Sequence, residues 1–356
     1  MRRALCAVLL CLWATGASAG MPDNLGQRIT DGFVRPSVTQ FANTAAVLSG
    51  DIDRLCREPS EPRLDTVRQR FDTLVEAWFR IFFLRFGPMV VDNRFEKIFF
   101  WPDPRGVVLR QVGAILAGPD ADAIDPAKLA AKSVAVQGLP ALEFLLFGTG
   151  SPSLLDKTDE GRFRCAYALS ASVVLSERAA AIVADWGPDS AFVREIAHPG
   201  PNNDIYRNDQ EVAAEVVKAL AGGTAFLAEV VIVPFLGKEP EQANYRKAPL
   251  WRSGSTIRAV RGGLAGLRDF YAATGIGEAL SAPDRWIDGG LRLEMRKILD
   301  TLDKLDMPLD EAVRPGPGRE ALIYTVIALK SLHTTMDTRL AQAVGVSVGF
   351  NALDGD

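Results

Sequence analysis

The sequence predicts an all-α fold of two packed helical bundles. Three observations predict it. Apolar residues recur at steps of three and four along most of the chain. Proline and glycine punctuate these stripes at intervals suited to helices. The sequence carries no alternating strand pairs and no Asn-Gly hairpin signal.

The first stripe is Val38, Phe41, Ala45, Leu48, Ile52 and Leu55. The second is Leu64, Val67, Phe71, Leu74, Trp78 and Ile81, after a loop containing Pro59 and Pro62. Two amphipathic stripes joined by so short a loop form an antiparallel helix pair. Gly87-Pro88 is the expected end of the second helix. An aromatic-dense stretch follows, with Phe95, Phe99, Phe100 and Trp101, and Pro102 and Pro104 bias their predecessors away from helix. Further helices are expected over 105–117 and from Asp125 onward. The latter breaks at Gly138-Leu139-Pro140, where Pro140 suits the first turn of a new short helix that stops at Gly148.

The turn-rich segment 148–159 is the expected boundary, giving an N-terminal bundle over 20–155 and a C-terminal bundle over 156–356. Helices resume over 161–185, then over 204–233 with Pro234 as the stop. Ile257, Val260, Leu264, Leu267 and Tyr271 mark the next, and Leu291, Met295, Ile298, Leu302 and Leu305 another. The last covers 319–343, with Leu322, Val326, Leu329, His333, Met336 and Leu340 on one face. Gly222-Gly223 and Gly262-Gly263 lie inside helical patterns, where small residues permit close helix approach. No strand precedes them, so they do not read as phosphate loops.

Residues 1–19 have the pattern of a cleaved signal peptide. Arg2 and Arg3 precede an apolar run from Ala4 to Trp13, and Ala17-Ser18-Ala19 is a small-residue cleavage site. The run is short for a membrane span. Val8-Leu9-Leu10 before Cys11 does not suit a lipid anchor. No later segment reads as a membrane helix, so the expected product is a soluble periplasmic protein. Its remaining cysteines are Cys56 and Cys165. An exported compartment permits a disulfide, and pairing the two is the simplest use of an even count; two buried thiols are the alternative. The net charge of −4 lacks the basic footprint of a nucleic-acid partner.

The most informative residue is Glu143. It is the only ionisable residue between Lys132 and Asp156, inside the run Gln137–Gly148. A lone carboxylate in such a run requires a partner from elsewhere in the fold or from a ligand. The helix dipole offers it about 0.3–1 kcal/mol. An arginine from another helix could pair with it. Arg252 is a candidate to reach the carboxylate or an anionic ligand, while Ser253 or Ser255 suits a helix N-cap. His333 lies on an apolar helix face, where a histidine is either a hydrogen-bonded core residue or a ligand-site member. Trp101 belongs to the core or a cleft. Asp103 either caps the helix beginning near Arg105 or faces the same cleft. The chain lacks a Cys/His cluster of zinc-finger type and a Ser/His/Asp order in nucleophile-elbow context.

Five segments, in order along the chain, resemble the imelysin-like family of exported bacterial proteins, some of which are described as metallopeptidases. They are Arg85-Phe86-Gly87-Pro88, Phe100-Trp101-Pro102-Asp103, Gly138-Leu139-Pro140-Ala141-Leu142-Glu143-Phe144-Leu145-Leu146, Arg164-Cys165-Ala166-Tyr167 and Trp251-Arg252-Ser253-Gly254. The resemblance implies two bundle-like halves, a site near their junction, and an association with iron uptake or the cell envelope. It implies as partner a small ligand, a metal ion (iron or another divalent metal, with Glu143 as ligand) or an envelope protein. The family motif Gly-x-His-x-x-Glu falls on Gly138, Pro140 and Glu143, so proline stands in the histidine position. Histidine and glutamate three apart share a helix face and can hold one metal ion; proline has no ligand atom. The departure disfavours a peptidase and favours a binding protein with Glu143, Arg252, Ser253, His333, Asp103 and Trp101 around its ligand.

Overall fold

Every regular element among the described residues, 21–346 of this computed structural model, is helical. The expected signal peptide, 1–19, lies outside the described residues. The longer helices are α1 (Arg35–Arg57), α2 (Glu61–Phe79), α3 (Val107–Ala117), α4 (Gly138–Phe147), α5 (Asp159–Asp185), α6 (Asp209–Ala225), α7 (Thr256–Thr274), α8 (Arg285–Leu302) and α9 (Pro317–Thr334).

The stripe of α1 is buried throughout, from Val38 to Leu55. It packs most extensively on α5 and then on α2. A disulfide between Cys56 and Cys165 ties the end of α1 to α5, with Cα atoms 5.6 Å apart. The helix α5 therefore belongs with α1 and α2, and the expected boundary at 155/156 runs through a bundle rather than beside one. The turn-rich segment before α5 carries the chain back onto α1 instead of into a new core. The second bundle comprises α6, α7, α8 and α9, in which α9 packs on α6 and α8, while α7 packs most extensively on α2 of the first.

The helix α2 ends at Phe79, well before Gly87-Pro88. Ile81, Phe82, Phe83 and Leu84 are all buried, which a helix exposing one face cannot achieve with four consecutive residues. The turn directs Phe82 toward Phe226 and Phe83 toward Phe270, at ring separations of 5.3 and 5.2 Å. One apolar core therefore runs through both bundles. Glycines on α7 permit this junction: a Cβ on Gly266 would lie 2.2 Å from the Arg80 carbonyl oxygen, and one on Gly262 3.1 Å from that of Glu76.

The chain does not leave helical form at Pro234. A π turn over Phe226–Ile232 follows α6, and Val233–Leu236 is again helical. The widened turn shifts the hydrogen-bond register just before the proline, where the missing N–H is absorbed. Another π turn, Thr335–Leu340, extends α9. Contrary to expectation, Asp159–Asp185 and Asp209–Leu236 are each long and apolar enough to cross a membrane. Burial accounts for that apolarity: 72% of the apolar stretch of the second, and half of the first, lies inside the fold.

Candidate functional site

The helix α4 is buried along nearly all its length and held at both ends. At its start Gly138 adopts φ +73°, where a Cβ would meet the carbonyl oxygens of Ile98 and Lys97 at 2.5 and 2.6 Å. The Tyr167 hydroxyl donates to the carbonyl of Val136 at 2.7 Å. At the other end Arg164, only 2% exposed, donates to the carbonyls of Leu145, Phe144 and Thr149 at 2.9, 3.1 and 3.0 Å. Arg68 donates twice to the Leu146 carbonyl at 3.2 Å. These arginines satisfy the Leu145 and Leu146 carbonyls that the helix C-terminus leaves without partners, and give Phe144, which already accepts the Gly148 N–H, a second donor. Burial lowers the Arg164 pKa to about 10, so it remains a cation at neutral pH. The Arg-Cys-x-Tyr segment is thereby explained: Arg164 and Tyr167 fix α4, and Cys165 fixes the helix that carries them.

Glu143 projects from α4 and is 4% exposed. Its Oε1 accepts the backbone N–H of Arg252 at 2.8 Å and of Ser253 at 2.9 Å. The Ser253 hydroxyl lies 3.2 Å from the same oxygen and 3.0 Å from the Leu250 carbonyl, between which its single hydrogen is shared. Burial pushes the Glu143 carboxyl above the usual carboxylate range, and the Ser253 N–H and the Arg252 charge offset part of that rise. The loop is bent to present these amides: Leu250 has φ +58° and Gly254 φ +73°. For leucine this left-handed conformation is strained.

The partner of the lone carboxylate is thus main chain, and Arg252 makes no side-chain ion pair with it. The Arg252 guanidinium lies over the rings of Trp251 and Phe144, 4.4 and 5.3 Å from their centroids. Ser253 does not cap α7; it serves Glu143. Ser255 occupies the N-cap position, and its hydroxyl donates to Asp72 instead of to the helix. Both readings of Asp103 hold. Its oxygens accept the N–H groups of Val107 and Val108 at 2.8 and 2.9 Å, and it lines a cleft with Glu143. Trp101 lines the same cleft, and its buried indole N–H has no acceptor among the described residues. His333 is elsewhere: its Nδ1 lies 3.1 Å from the Ala221 carbonyl of α6, and it does not line the cleft. Because α9 packs on α6 and α8, its histidine cannot replace the missing motif residue.

The cleft has a volume of about 780 Å³. One side is built from the 99–109 segment and α4, the other from Val230, Pro234 and the loop 246–252. Aromatic rings of Phe99, Trp101, Phe144 and Trp251 line it, and Arg246, Lys247 and Arg252 add charge. Arg246 and Lys247 were not singled out by sequence reasoning, since exposed basic residues in a polar loop read as solvated. Pro140 and Glu143 both face the cleft, so the position of the motif histidine is a cleft position here. Among the described residues no three His, Cys, Asp or Glu side chains group to hold a metal. Glu143 has already committed Oε1 to three donors. These residues do not fit a transition-metal ion, which needs several converging donor atoms.

The imelysin family model matches residues 34–336 of this chain. An imelysin-like protein from Psychrobacter arcticum 273-4 has a similar structure: TM-score 0.73, 21% identity, covering 92% of this chain and 97% of that one. A candidate iron-regulated protein A precursor from Parabacteroides distasonis ATCC 8503 superposes with a TM-score of 0.71 at 12% identity, covering 90% and 97%. No curated protein matches the chain.

Proposed function

We infer that this chain, which belongs to the imelysin family, is an exported binding protein that takes a small ligand in the cleft beside Glu143. One observation carries the reading. The buried carboxylate is used to pin a strained loop against α4, and that loop supplies one wall of an aromatic-lined cleft of about 780 Å³. Volume and lining are those of a small-molecule site. Glu143 acts as the anchor of the wall. Export is supported by the pattern of residues 1–19 and by the Cys56–Cys165 disulfide, which suits an oxidising compartment.

A metallopeptidase is not supported, because Pro140 brings no ligand atom to the cleft and no three His, Cys, Asp or Glu side chains group among the described residues. An association with iron has in its favour the name of the Parabacteroides distasonis neighbour. The donor set beside Glu143 does not suit the bare ion.

Native mass spectrometry of the full-length chain, expressed with its signal segment and recovered from the exported fraction, tests the reading. The wild type is expected to carry a non-covalent small-molecule adduct. Leu109→Trp, a substitution at a half-exposed cleft position, is expected to lose it. No adduct on the wild type, or the same adduct increment above the bare polypeptide in both proteins, overturns the proposal.

A further inference from the structure

We propose that the ligand of this cleft is an organic anion with a flat apolar body, of the class of aromatic carboxylates and sulfonates; the inference rests on the cleft being the binding site. The balance of donors and acceptors points there. The cleft has two acidic side chains, and the protein already uses three of their four oxygens. Asp103 gives both oxygens to the start of α3, and Glu143 gives Oε1 to the loop amides. The three basic side chains are in the opposite condition. Arg246, Lys247 and Arg252 enter no ion pair among the described residues, although many other arginines of the chain do.

The two arginines stack instead. The Arg252 guanidinium lies 4.4 Å from the centroid of Trp251, and that of Arg246 lies 5.6 Å from the centroids of Trp251 and Tyr245. Tyr245 in turn meets Trp251 edge-on, at 5.6 Å between centroids. Stacking holds each guanidinium plane; Arg246 gives its Nε–H to the Tyr245 hydroxyl at 3.2 Å, and its terminal N–H groups and those of Arg252 have no acceptor among the described residues, so a carboxylate or sulfonate can be met without reordering long side chains. Below them the walls are rings and prolines, which suit a flat apolar body. A bare metal cation would meet three like charges and no free pair of ligands. An uncharged ligand would leave the donors unmatched.

Fluorescence titration of the full mature chain with two naphthalene dyes tests this. One is the anionic 8-anilinonaphthalene-1-sulfonate, the other the uncharged N-phenyl-1-naphthylamine. At low ionic strength the wild type is expected to bind the anionic dye at least tenfold more tightly than the neutral one. Arg246→Gln, Lys247→Gln and Arg252→Gln combined should abolish that preference, weakening the anionic dye at least tenfold more than the neutral one. Leu109→Trp should weaken both dyes. Equal affinity of the wild type for the two dyes, or a preference that survives the triple substitution, overturns the anion assignment. Binding of both dyes undiminished in Leu109→Trp overturns the cleft reading itself, so the two failures are distinguishable. Circular dichroism of each variant establishes that it is folded.

Discussion

Arg164 and Arg252 both lie over the ring of Phe144, at 5.8 and 5.3 Å, yet they stand in opposite electrostatic conditions. Arg164 is buried, and its guanidinium donates to three carbonyls. Arg252 is half-buried, and only its main-chain N–H is engaged by hydrogen bonding. The difference separates architecture from recognition. Around Arg164 the protein supplies its own acceptors, and removing the donor leaves buried carbonyls unsatisfied. Around Arg252 it supplies an aromatic support and no side-chain acceptor, which is the basis for proposing that the missing group comes from a ligand.

The comparison breaks first at Arg164. Arg164→Met should destabilise the chain by about 3–5 kcal/mol, because three carbonyls lose a buried charged donor. Urea unfolding measures this, and a variant as stable as wild type would remove the architectural half of the contrast.

Glu143 sharpens it next. Glu143→Ala leaves two loop N–H groups without an acceptor and should cost about 2–4 kcal/mol. Glu143→Gln keeps the accepting oxygen and should stay within about 1 kcal/mol of wild type. The two also differ in pH dependence. Burial raises the Glu143 carboxyl in the folded chain, so the folded state holds that proton more firmly than the unfolded state. Its contribution to stability therefore falls as pH rises from the ordinary glutamate range, about 4.3, through the elevated value. The stability of wild type relative to Glu143→Gln should decline over that window, as read by denaturant titration at each pH. A difference that grows in favour of wild type contradicts the assignment.

The smallest effect concerns the motif. Pro140→His places an imidazole three residues before Glu143 on the cleft face. It should raise zinc affinity about tenfold over a wild type that binds weakly, by the gain of one ligand. Calorimetric titration with zinc checks it, and an unchanged affinity would show that the loop amides hold the carboxylate too firmly to share.

Much of the helical framework was legible because burial imposes a period. The α1 stripe was readable residue by residue, and so was the start of α4 at Gly138-Leu139-Pro140. Helix ends were not. Four consecutive buried residues after Phe79 and a π turn before Pro234 are settled by tertiary contacts, which override local signals. The grouping of α5 with α1 was hidden because a turn-rich segment looks the same whether it leaves a bundle or returns to it. At the site, the isolation of Glu143 correctly demanded a partner. The partner's identity was not readable, since every residue but proline carries an N–H. His333 misled because a shared helical face says nothing of which neighbouring helix it meets. Arg246 gave no signal, as stacking on Tyr245 and Trp251 is a property of the folded loop.

The grip of Glu143 on main-chain amides bears on how this protein could change its cargo. A carboxylate that holds N–H groups is indifferent to the side chains those residues carry. Positions 246, 247 and 252 are therefore open to exchange for neutral, acidic or bulkier residues while the wall of the cleft stays where it is. If the cleft is the binding site, an engineer wishing to retarget it should leave position 143 alone and diversify the loop it holds.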